Sequence, residues 1–296
     1  MSYCNLLQIG FARWPRMALL SILACLSLCL ATHAGEPTAS APDSTVTFYA
    51  MGDVPYAPEE DKLLPKQIAN LPADGQFVVH VGDIKDGATP CDEAVYIKVA
   101  SMLEKTKLPT FIIPGDNEWN DCTAPAQAWQ YWVRHFNHFD KKWKYDFPVE
   151  RQKVRSENFT FRINGVLFLG INLVGGRVHD EAEWKTRHAQ NVDWAKATID
   201  RQTQNIHAIV LFGHAHPLPV HNDFFTPFVE IIKTAKHPTL YIHGDGHRWI
   251  QDKPFGTDLI TRVQVDQGGI APPVKVTVTA SPTQPFVFDR RKPETP

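Results

Sequence analysis

Five apolar segments of the chain each end in glycine followed by a side chain that can bind a metal ion. They are TFYAMGD (47–53), FVVHVGD (77–83), TFIIPGD (110–116), AIVLFGH (208–214) and LYIHGDGH (240–247). Taken singly, Gly-Asp after a strand is ordinary turn chemistry, because glycine tolerates unusual dihedrals and aspartate hydrogen-bonds the following backbone. Five such endings together favour a shared site, since adjacent strand ends in an α/β sheet converge on one ligand-binding crevice.

Short runs rich in Val, Ile and Phe alternate with amphipathic stretches, which predicts strands alternating with helices. The predicted strands cover 45–51, 77–82, 110–114, 159–163, 166–172, 207–212, 239–243, 258–265 and 274–280. The predicted helices cover 60–70, 93–105, 125–136, 181–203 and 224–234. The first part of the chain is therefore predicted to run βαβαβα, and the later strands are expected to pair antiparallel.

Composition and charge narrow the class of protein. A chain of 296 residues that is 43% hydrophobic and 21% charged can bury one large core. The formal net charge is −2 and no long basic run is present, so we expect no nucleic-acid polymer as a partner. No repeat or linker divides residues 35–296, which are expected to form a single domain.

Residues 1–34 have the pattern of a secretory signal peptide. Arg13 and Arg16 precede an apolar run at 17–31, and small residues suited to cleavage after Ala34 follow. A membrane anchor would need roughly 20 apolar residues, and a lipoprotein modified at Cys25 is a less favoured alternative. We expect a secreted or periplasmic protein with no membrane span after cleavage.

Only two cysteines, Cys91 and Cys122, follow residue 34. Each lies in the loop after a strand end, the first after Asp83 and the second after Asp116. Two cysteines in an exported chain indicate one disulfide. We expect it to join two loops at the rim of the site.

The side chains at the strand ends predict a metal centre. Four converging carboxylates would repel one another and raise their pKa values, and two divalent cations would neutralise them. Imidazole nitrogen suits Zn, Fe or Mn, while carboxylates also admit Mg. Two ions that share a carboxylate would lie about 3.5 to 4 Å apart, a separation that activates water and clamps a phosphoryl group. The predicted metal ligands are Asp53, Asp83, Asp116, His214, Asp245 and His247.

At these residues the sequence resembles the calcineurin-like metallophosphoesterase superfamily. The motifs of that family run D-x-H, G-D-x-x-D, G-N-H-D/E, a lone His after a strand, and G-H-x-H. The matching segments are GDVPY (52–56), GDIKDG (82–87), GDNEW (115–119), FGHAHPL (212–218) and GDGH (244–247). The resemblance implies an α/β fold, a two-sheet αββα sandwich with mixed sheets and the metal site at the C-terminal ends of the strands.

The resemblance also implies a role for each position. Asp53 and His247 would bind the first ion, Asp83 would bridge both, and Asp116 and His214 would bind the second. In the family, the acidic residues that close the second and third motifs orient their neighbours. Here these residues are Asp86 and Glu118.

Four positions depart from the family's motifs, and one of them is Asp116, which stands in place of the family's Asn and adds negative charge. Pro55 stands in place of the first-motif His, which removes a ligand from the first ion. Asn117 stands where the family's His assists the leaving group, and an amide is no general acid near neutral pH. Asp245 replaces a His and makes the site more anionic, which favours Mn or Mg beside or instead of Zn or Fe. His216 is our candidate for the missing proton donor, and the alternative is a loop histidine near the site.

These residues together predict a secreted, metal-dependent hydrolase of small phosphoric esters or anhydrides. Without a proton donor, it should prefer substrates with good leaving groups. Two alternatives stay open. One is a catalytically weak relative that binds a phosphate-containing ligand, which Pro55 and Asn117 would explain. The other is a structural or surface-attached protein that keeps the scaffold.

Overall fold

Two mixed β-sheets stack face to face in the computed structural model, which describes residues 44–292. The strands are β1 (Val46–Met51), β2 (Val78–His80), β3 (Thr110–Ile112), β4 (Glu150–Arg151), β5 (Phe159–Ile163), β6 (Val166–Gly170), β7 (Ala208–Phe212), β8 (Thr239–His243), β9 (Ile250–Asp252), β10 (Ile260–Gln264), β11 (Val274–Val278) and β12 (Phe286–Asp289). The longer helices are α1 (Glu60–Ala69), α2 (Glu93–Leu103), α3 (Pro125–Phe136), α4 (Glu181–Gln202) and α5 (Asn222–Ala235).

The first sheet has the strand order β12-β11-β1-β2-β3. Its strands β1, β2 and β3 run parallel, as the predicted βαβαβα order requires, and β11 returns antiparallel beside β1. The second sheet has the order β4-β5-β6-β7-β8-β10-β9. The expectation that the later strands pair antiparallel is wrong for its centre, because β6, β7, β8 and β10 are parallel. Helices α4 and α5 form the crossovers that parallel neighbours need.

Apolar side chains fill three layers, and together these confirm the predicted αββα sandwich. The core between the sheets is rich in phenylalanine, with Phe48 stacked on Phe77 at 4.9 Å between ring centroids and Phe168 packed edge-on against Phe77. Helices α1, α2 and α3 cover the outer face of the first sheet, and α4 and α5 cover the second. Both faces of the central strands are therefore buried, which is why their sequences are continuously apolar.

The predicted signal peptide lies outside the described residues, and export stays a prediction. Within residues 44–292, no helix combines the length and the apolarity needed to cross a bilayer.

The predicted disulfide between Cys91 and Cys122 is present, with the two Cα atoms 6.0 Å apart. It joins the loop after β2 to the turn after β3. Both sulfur atoms also lie 3.5 Å from the main-chain oxygen of Asn117. The bond therefore ties two site-bearing loops to each other.

Reducing this disulfide should destabilise the protein. The cysteines are 31 residues apart, and in the chain-entropy treatment closing a loop of that length contributes about 3 to 4 kcal/mol. Urea unfolding with and without reductant should show a loss of this size. A variant with both cysteines changed to serine should start at the lower stability and be insensitive to reductant; equal stability of oxidised and reduced wild type would contradict the expectation.

Candidate metal centre

Five of the predicted ligands meet at one edge of the sandwich. Asp53, Asp83 and Asp116 follow β1, β2 and β3, while His214 and Asp245 follow β7 and β8. Both sheets deliver the C-terminal ends of parallel strands to this edge, which is where α/β sheets bind ligands. Asp53, Asp83, Asp116 and His214 are all buried, and Asp245 is partly exposed.

The donor atoms form two overlapping groups. One contains Asp53, Asp83 and His214, the other contains Asp116, His214 and Asp245, and within each group one ligand atom per residue lies within 4.8 Å of the others. His214 Nε2 is 3.0 Å from Asp116 Oδ1 and 3.4 Å from Asp83 Oδ1. Two ligand atoms bound about 2.1 Å from one ion lie about 3 Å apart when the bonds are near right angles. The spacing fits ligands of a small metal ion.

The hydrogen bonds leave three of the site's potential ligand atoms free. His214 Nδ1 is 2.8 Å from the main-chain oxygen of Val81, which can only accept, so Nδ1 carries the proton and Nε2 a lone pair in the neutral ring. Within residues 44–292, His214 Nε2, Asp53 Oδ2 and Asp116 Oδ1 are buried with no hydrogen-bond partner. Buried polar atoms without a partner are costly. A cation is the group that would satisfy all three.

Burial shifts the pKa values of the clustered carboxylates and of His214. Burial raises the pKa of Asp53 to about 7 and that of Asp116 to about 6, and the Asp83 carboxylate adds to both shifts. Burial alone would lower the pKa of His214, but Asp83 and Asp116 raise it well above its usual value. Burial opposes ionisation of Asp83 as well, yet His214 and hydrogen bonds lower its pKa overall. Protons therefore hold part of the positive charge that metal ions would supply.

Four of the predicted ligands have left-handed backbone. The φ angles are 53° at Asp53, 61° at Asp83, 70° at Asp245 and 61° at His247. Non-glycine residues adopt this region rarely, and Asp and His are among the types enriched there. The loops also brace one another, since Asp245 N donates to Asp53 Oδ1 at 3.0 Å. Strained backbone is tolerated where a site is over-determined by its surroundings.

The loop after β6 completes the wall of the second group, and the sequence did not reveal it. A Cβ added at Gly175 would lie 2.6 Å from Asp245 Oδ2 and 3.1 Å from Asp116 Oδ1. Only glycine lets the backbone approach these carboxylates so closely. The signal available in the sequence was the pair Gly175 and Gly176, which no motif singled out.

Tyr56 and Asn117 hold the Asp83 carboxylate. Tyr56 Oη donates to Asp83 Oδ2 at 2.5 Å and lies 3.3 Å from Asp53 Oδ1. Asn117 donates to Asp83 twice, from its main-chain N at 3.0 Å and from Nδ2 at 2.6 Å. The sequence prediction missed Tyr56, although it closes the first motif. The structure places Asn117 as an orienting residue at the site, and its catalytic role stays a prediction.

Glu118 and Asp86 sit where residues that orient their neighbours are expected. Glu118 is fully buried and accepts hydrogen bonds from the main-chain N of Asp83 and Gly115, so it links two ligand loops. Burial raises the pKa of Glu118 to about 8. Asp86 accepts from the main-chain N of Ala88 and Thr89 and so shapes its own loop.

The last two predicted site residues lie at the edge of the cluster. His247 is half exposed, with Nε2 3.7 Å from Asp53 Oδ1. His216 Nδ1 is 3.0 Å from Gln264 Oε1, and Gln264 Nε2 donates to the main-chain oxygen of Arg248 at 2.6 Å. Because that second contact fixes the orientation of the amide, His216 must donate from Nδ1. Neutral His216 therefore has a lone pair at Nε2, and it could protonate a leaving group only as the imidazolium.

A buried arginine supports the turn that carries Asp116. Residues Asp116–Asn120 form a single π-helical turn. Arg187 is fully buried, and its guanidinium carbon lies 5.0 Å from the ring centroids of both Trp119 and Trp184. Asn120 Oδ1 accepts from Trp184 Nε1 at 3.1 Å. Cation–π contacts and hydrogen bonds thus tie helix α4 to the site.

A family match and one solved structure agree with this architecture. The sequence matches calcineurin-like phosphoesterase over residues 46–249, more than half of the chain. A solved 5'-nucleotidase from Candida albicans superposes with a TM-score of 0.50 at 15% identity, covering 82% of this chain and 51% of that one. The chain thus spans about half the length of that neighbour. A second solved structure covers 84% of this chain and 100% of its own at a TM-score of 0.42 and 11% identity. No curated protein matches the sequence.

An αββα sandwich with buried aspartates and an imidazole at its strand ends defines a class of metal-dependent hydrolases. With the match over residues 46–249, the chain belongs to the calcineurin-like phosphoesterase family. The match confirms the family expected from the motifs.

Metal binding should weaken as the pH falls through neutrality. The raised pKa values of Asp53 and Asp116 mean that these groups take up protons between about pH 7 and 6. A metal ion must displace those protons, so affinity should rise by about tenfold per pH unit for each proton displaced. Titration calorimetry with Mn²⁺ between pH 5.5 and 8, in two buffers of different ionisation enthalpy, gives the number of protons released on binding. Asp53→Asn should release fewer protons than wild type, and a pH-independent affinity would contradict the expectation.

Proposed function

We propose that the protein is an exported hydrolase of small phosphoric esters or anhydrides that works with two divalent metal ions. The observation that carries the proposal is the pair of donor groups sharing His214, each with two further carboxylates. The five donor residues do not form one group within 4.8 Å, so a single ion would not contact them all, whereas two ions would, with His214 Nε2 binding one of the two. When bound, such ions polarise the phosphoryl group and favour ionisation of water.

The protein's own residues would prepare this reaction in three ways. Asp53, Asp83, Asp116, His214 and Asp245 would hold the ions, with His247 beside Asp53. Hydrogen bonds from Tyr56 and Asn117 would fix Asp83. Burial of the carboxylates keeps bulk water from screening the charges on which catalysis depends.

Export is supported by the N-terminal pattern and by the disulfide. Disulfides persist in oxidising compartments and are rare in reducing ones. A secreted or periplasmic location would also place the enzyme among phosphorylated small molecules outside the cytoplasm.

The metal requirement should depend on Asp83. Asp83→Asn removes a charged ligand from the centre, and kcat/KM for 4-nitrophenyl phosphate should fall by at least about 100-fold with Mn²⁺, Zn²⁺ or Mg²⁺ present. Asp258→Asn makes the same chemical change at an exposed position and should behave as wild type. Tight phosphate binding by wild type without metal-dependent turnover would instead identify a binding protein.

The rate should also fall steeply as the leaving group becomes more basic. Asn117 has no ionisable proton, and the Nδ1 proton of His216 is committed to Gln264. General acid catalysis is typically worth about 10²- to 10⁴-fold, so its absence should appear as a large loss from 4-nitrophenyl to phenyl phosphate. Steady-state kinetics over a series of aryl phosphates measures this. A rate that does not depend on leaving-group acidity would show that a proton donor is present. If the rate of His216→Gln then depends on leaving-group acidity, His216 is that donor.

A further inference from the structure

Lys85 is a buried cation beside the metal centre, and it has no role in the proposed ester hydrolysis. It lies two residues after Asp83 and is only 3% exposed. Its ammonium donates one hydrogen bond, from Nζ to the main-chain oxygen of Asp86 at 2.9 Å. Among residues 44–292, no carboxylate lies within ion-pair distance of Lys85, although Glu118, Asp83, Asp86 and Asp116 act on its charge from farther away.

An ammonium group in this position is incompletely satisfied. It has three N–H donors, and the Asp86 oxygen takes only one. Buried charges are normally paired, because taking a charge out of water without a partner is costly. Cations bound to Asp83 and Asp116 would offset the charge of these two carboxylates, which leaves Glu118 and Asp86 acting on Lys85 from a distance. Two N–H donors of Lys85 would still lack an acceptor.

A cavity of about 390 Å³ lies next to Lys85. This volume falls in the range of about 300 to 1,000 Å³ that is typical of ligand pockets. Its lining includes Lys85, Gly87, the disulfide of Cys91 and Cys122, and the carboxylates of Asp92 and Asp121. Of the described residues that line it, Lys85 alone is basic.

The cavity adjoins the metal centre through one side chain. A Cβ added at Gly87 would lie 3.2 Å from Asn117 Oδ1, and Asn117 Nδ2 is 2.6 Å from Asp83 Oδ2. The cavity therefore lies beside the metal centre, with the Asn117 side chain between Gly87 and Asp83.

The carboxylates near the cavity are engaged or peripheral. Asp121 Oδ1 accepts from Asn120 Nδ2 at 2.7 Å and from Arg177 N at 3.0 Å. Asp86 is occupied by the backbone of its own loop. Asp92 is exposed at the rim. Among the described residues that line the cavity, Lys85 therefore supplies the positive charge.

We propose that this cavity takes the anionic leaving group of a phosphoric anhydride and that Lys85 binds that group. The inference rests on the proposed function and names its substrate class. The water oxygen bonds to the terminal phosphorus, and the bond from phosphorus to the bridging oxygen breaks. Its electron pair stays on the departing phosphate, and the proton of water passes to solvent. Lys85 contributes charge and transfers no proton, so the lack of an acid at Asn117 is no obstacle.

Kinetics with two substrates test the role of Lys85. Wild type, Lys85→Met and Lys85→Arg are compared on inorganic pyrophosphate and on 4-nitrophenyl phosphate, with the same metal ion. Hydrogen bonds to a charged group are strong enough that Lys85→Met should lower kcat/KM for pyrophosphate roughly 10- to 100-fold more than for the aryl ester. Lys85→Arg should recover much of the difference. Lys105→Met makes the same change at an exposed lysine and should not alter the ratio.

The outcomes separate the inference from the proposed function. If wild type hydrolyses aryl phosphates and Lys85→Met lowers both substrates equally, Lys85 only balances the acidic cluster and the inference fails. If no substrate is turned over with any metal, the proposed function fails first. Thermal unfolding checks that Lys85→Met is folded. If Lys85→Met is unfolded, inhibition of the wild type tests the inference instead. Methylenediphosphonate should then inhibit far more strongly than methylphosphonate, and equal inhibition overturns the inference.

Discussion

Repulsion among buried carboxylates governs the architecture of the site. Asp53, Asp83, Asp116 and Asp245 share a small volume with His214, the single imidazole common to both donor groups. Without added cations, bound protons reduce this negative charge, as the raised pKa values of Asp53 and Asp116 show. The two-sheet sandwich is the device that imposes the convergence, since each sheet brings parallel strand ends to the same edge.

The surroundings of the ligands follow from the same constraint. Carboxylates forced together must be held by donors, and Tyr56 and Asn117 both donate to Asp83. Glu118 accepts from the main-chain N of Asp83 and of Gly115 and so joins the two ligand loops. Holding the loops this firmly makes left-handed backbone tolerable at several ligands. Rigidity of this kind is what lets charged groups stabilise a transition state without rearranging.

Most of the ligand set could be predicted from the sequence because each ligand follows an apolar strand directly. The order of residues along the chain is enough to predict that each ligand lies at a strand end. Tyr56, Gly175 and Gln264 were missed because their roles depend on contacts between distant segments: Gly175 approaches Asp116 from another loop, and Gln264 reaches His216 from β10. The prediction of antiparallel pairing in the second sheet was wrong for a similar reason. Apolar runs show that a strand is buried, but its orientation depends on whether a helix crosses back over the sheet.

The substitutions at motif positions form one pattern when they are taken together with Lys85. Neutral imidazoles at the first and third motifs have given way to Pro55 and Asn117, and Asp245 has added a negative charge. A centre that gains anionic ligands binds its cations more tightly but leaves less net positive charge to attract a phosphorylated substrate. In the proposed binding mode, the buried ammonium of Lys85 would restore that attraction on the side of the leaving group. Substrates that carry negative charge on the leaving group would therefore be favoured.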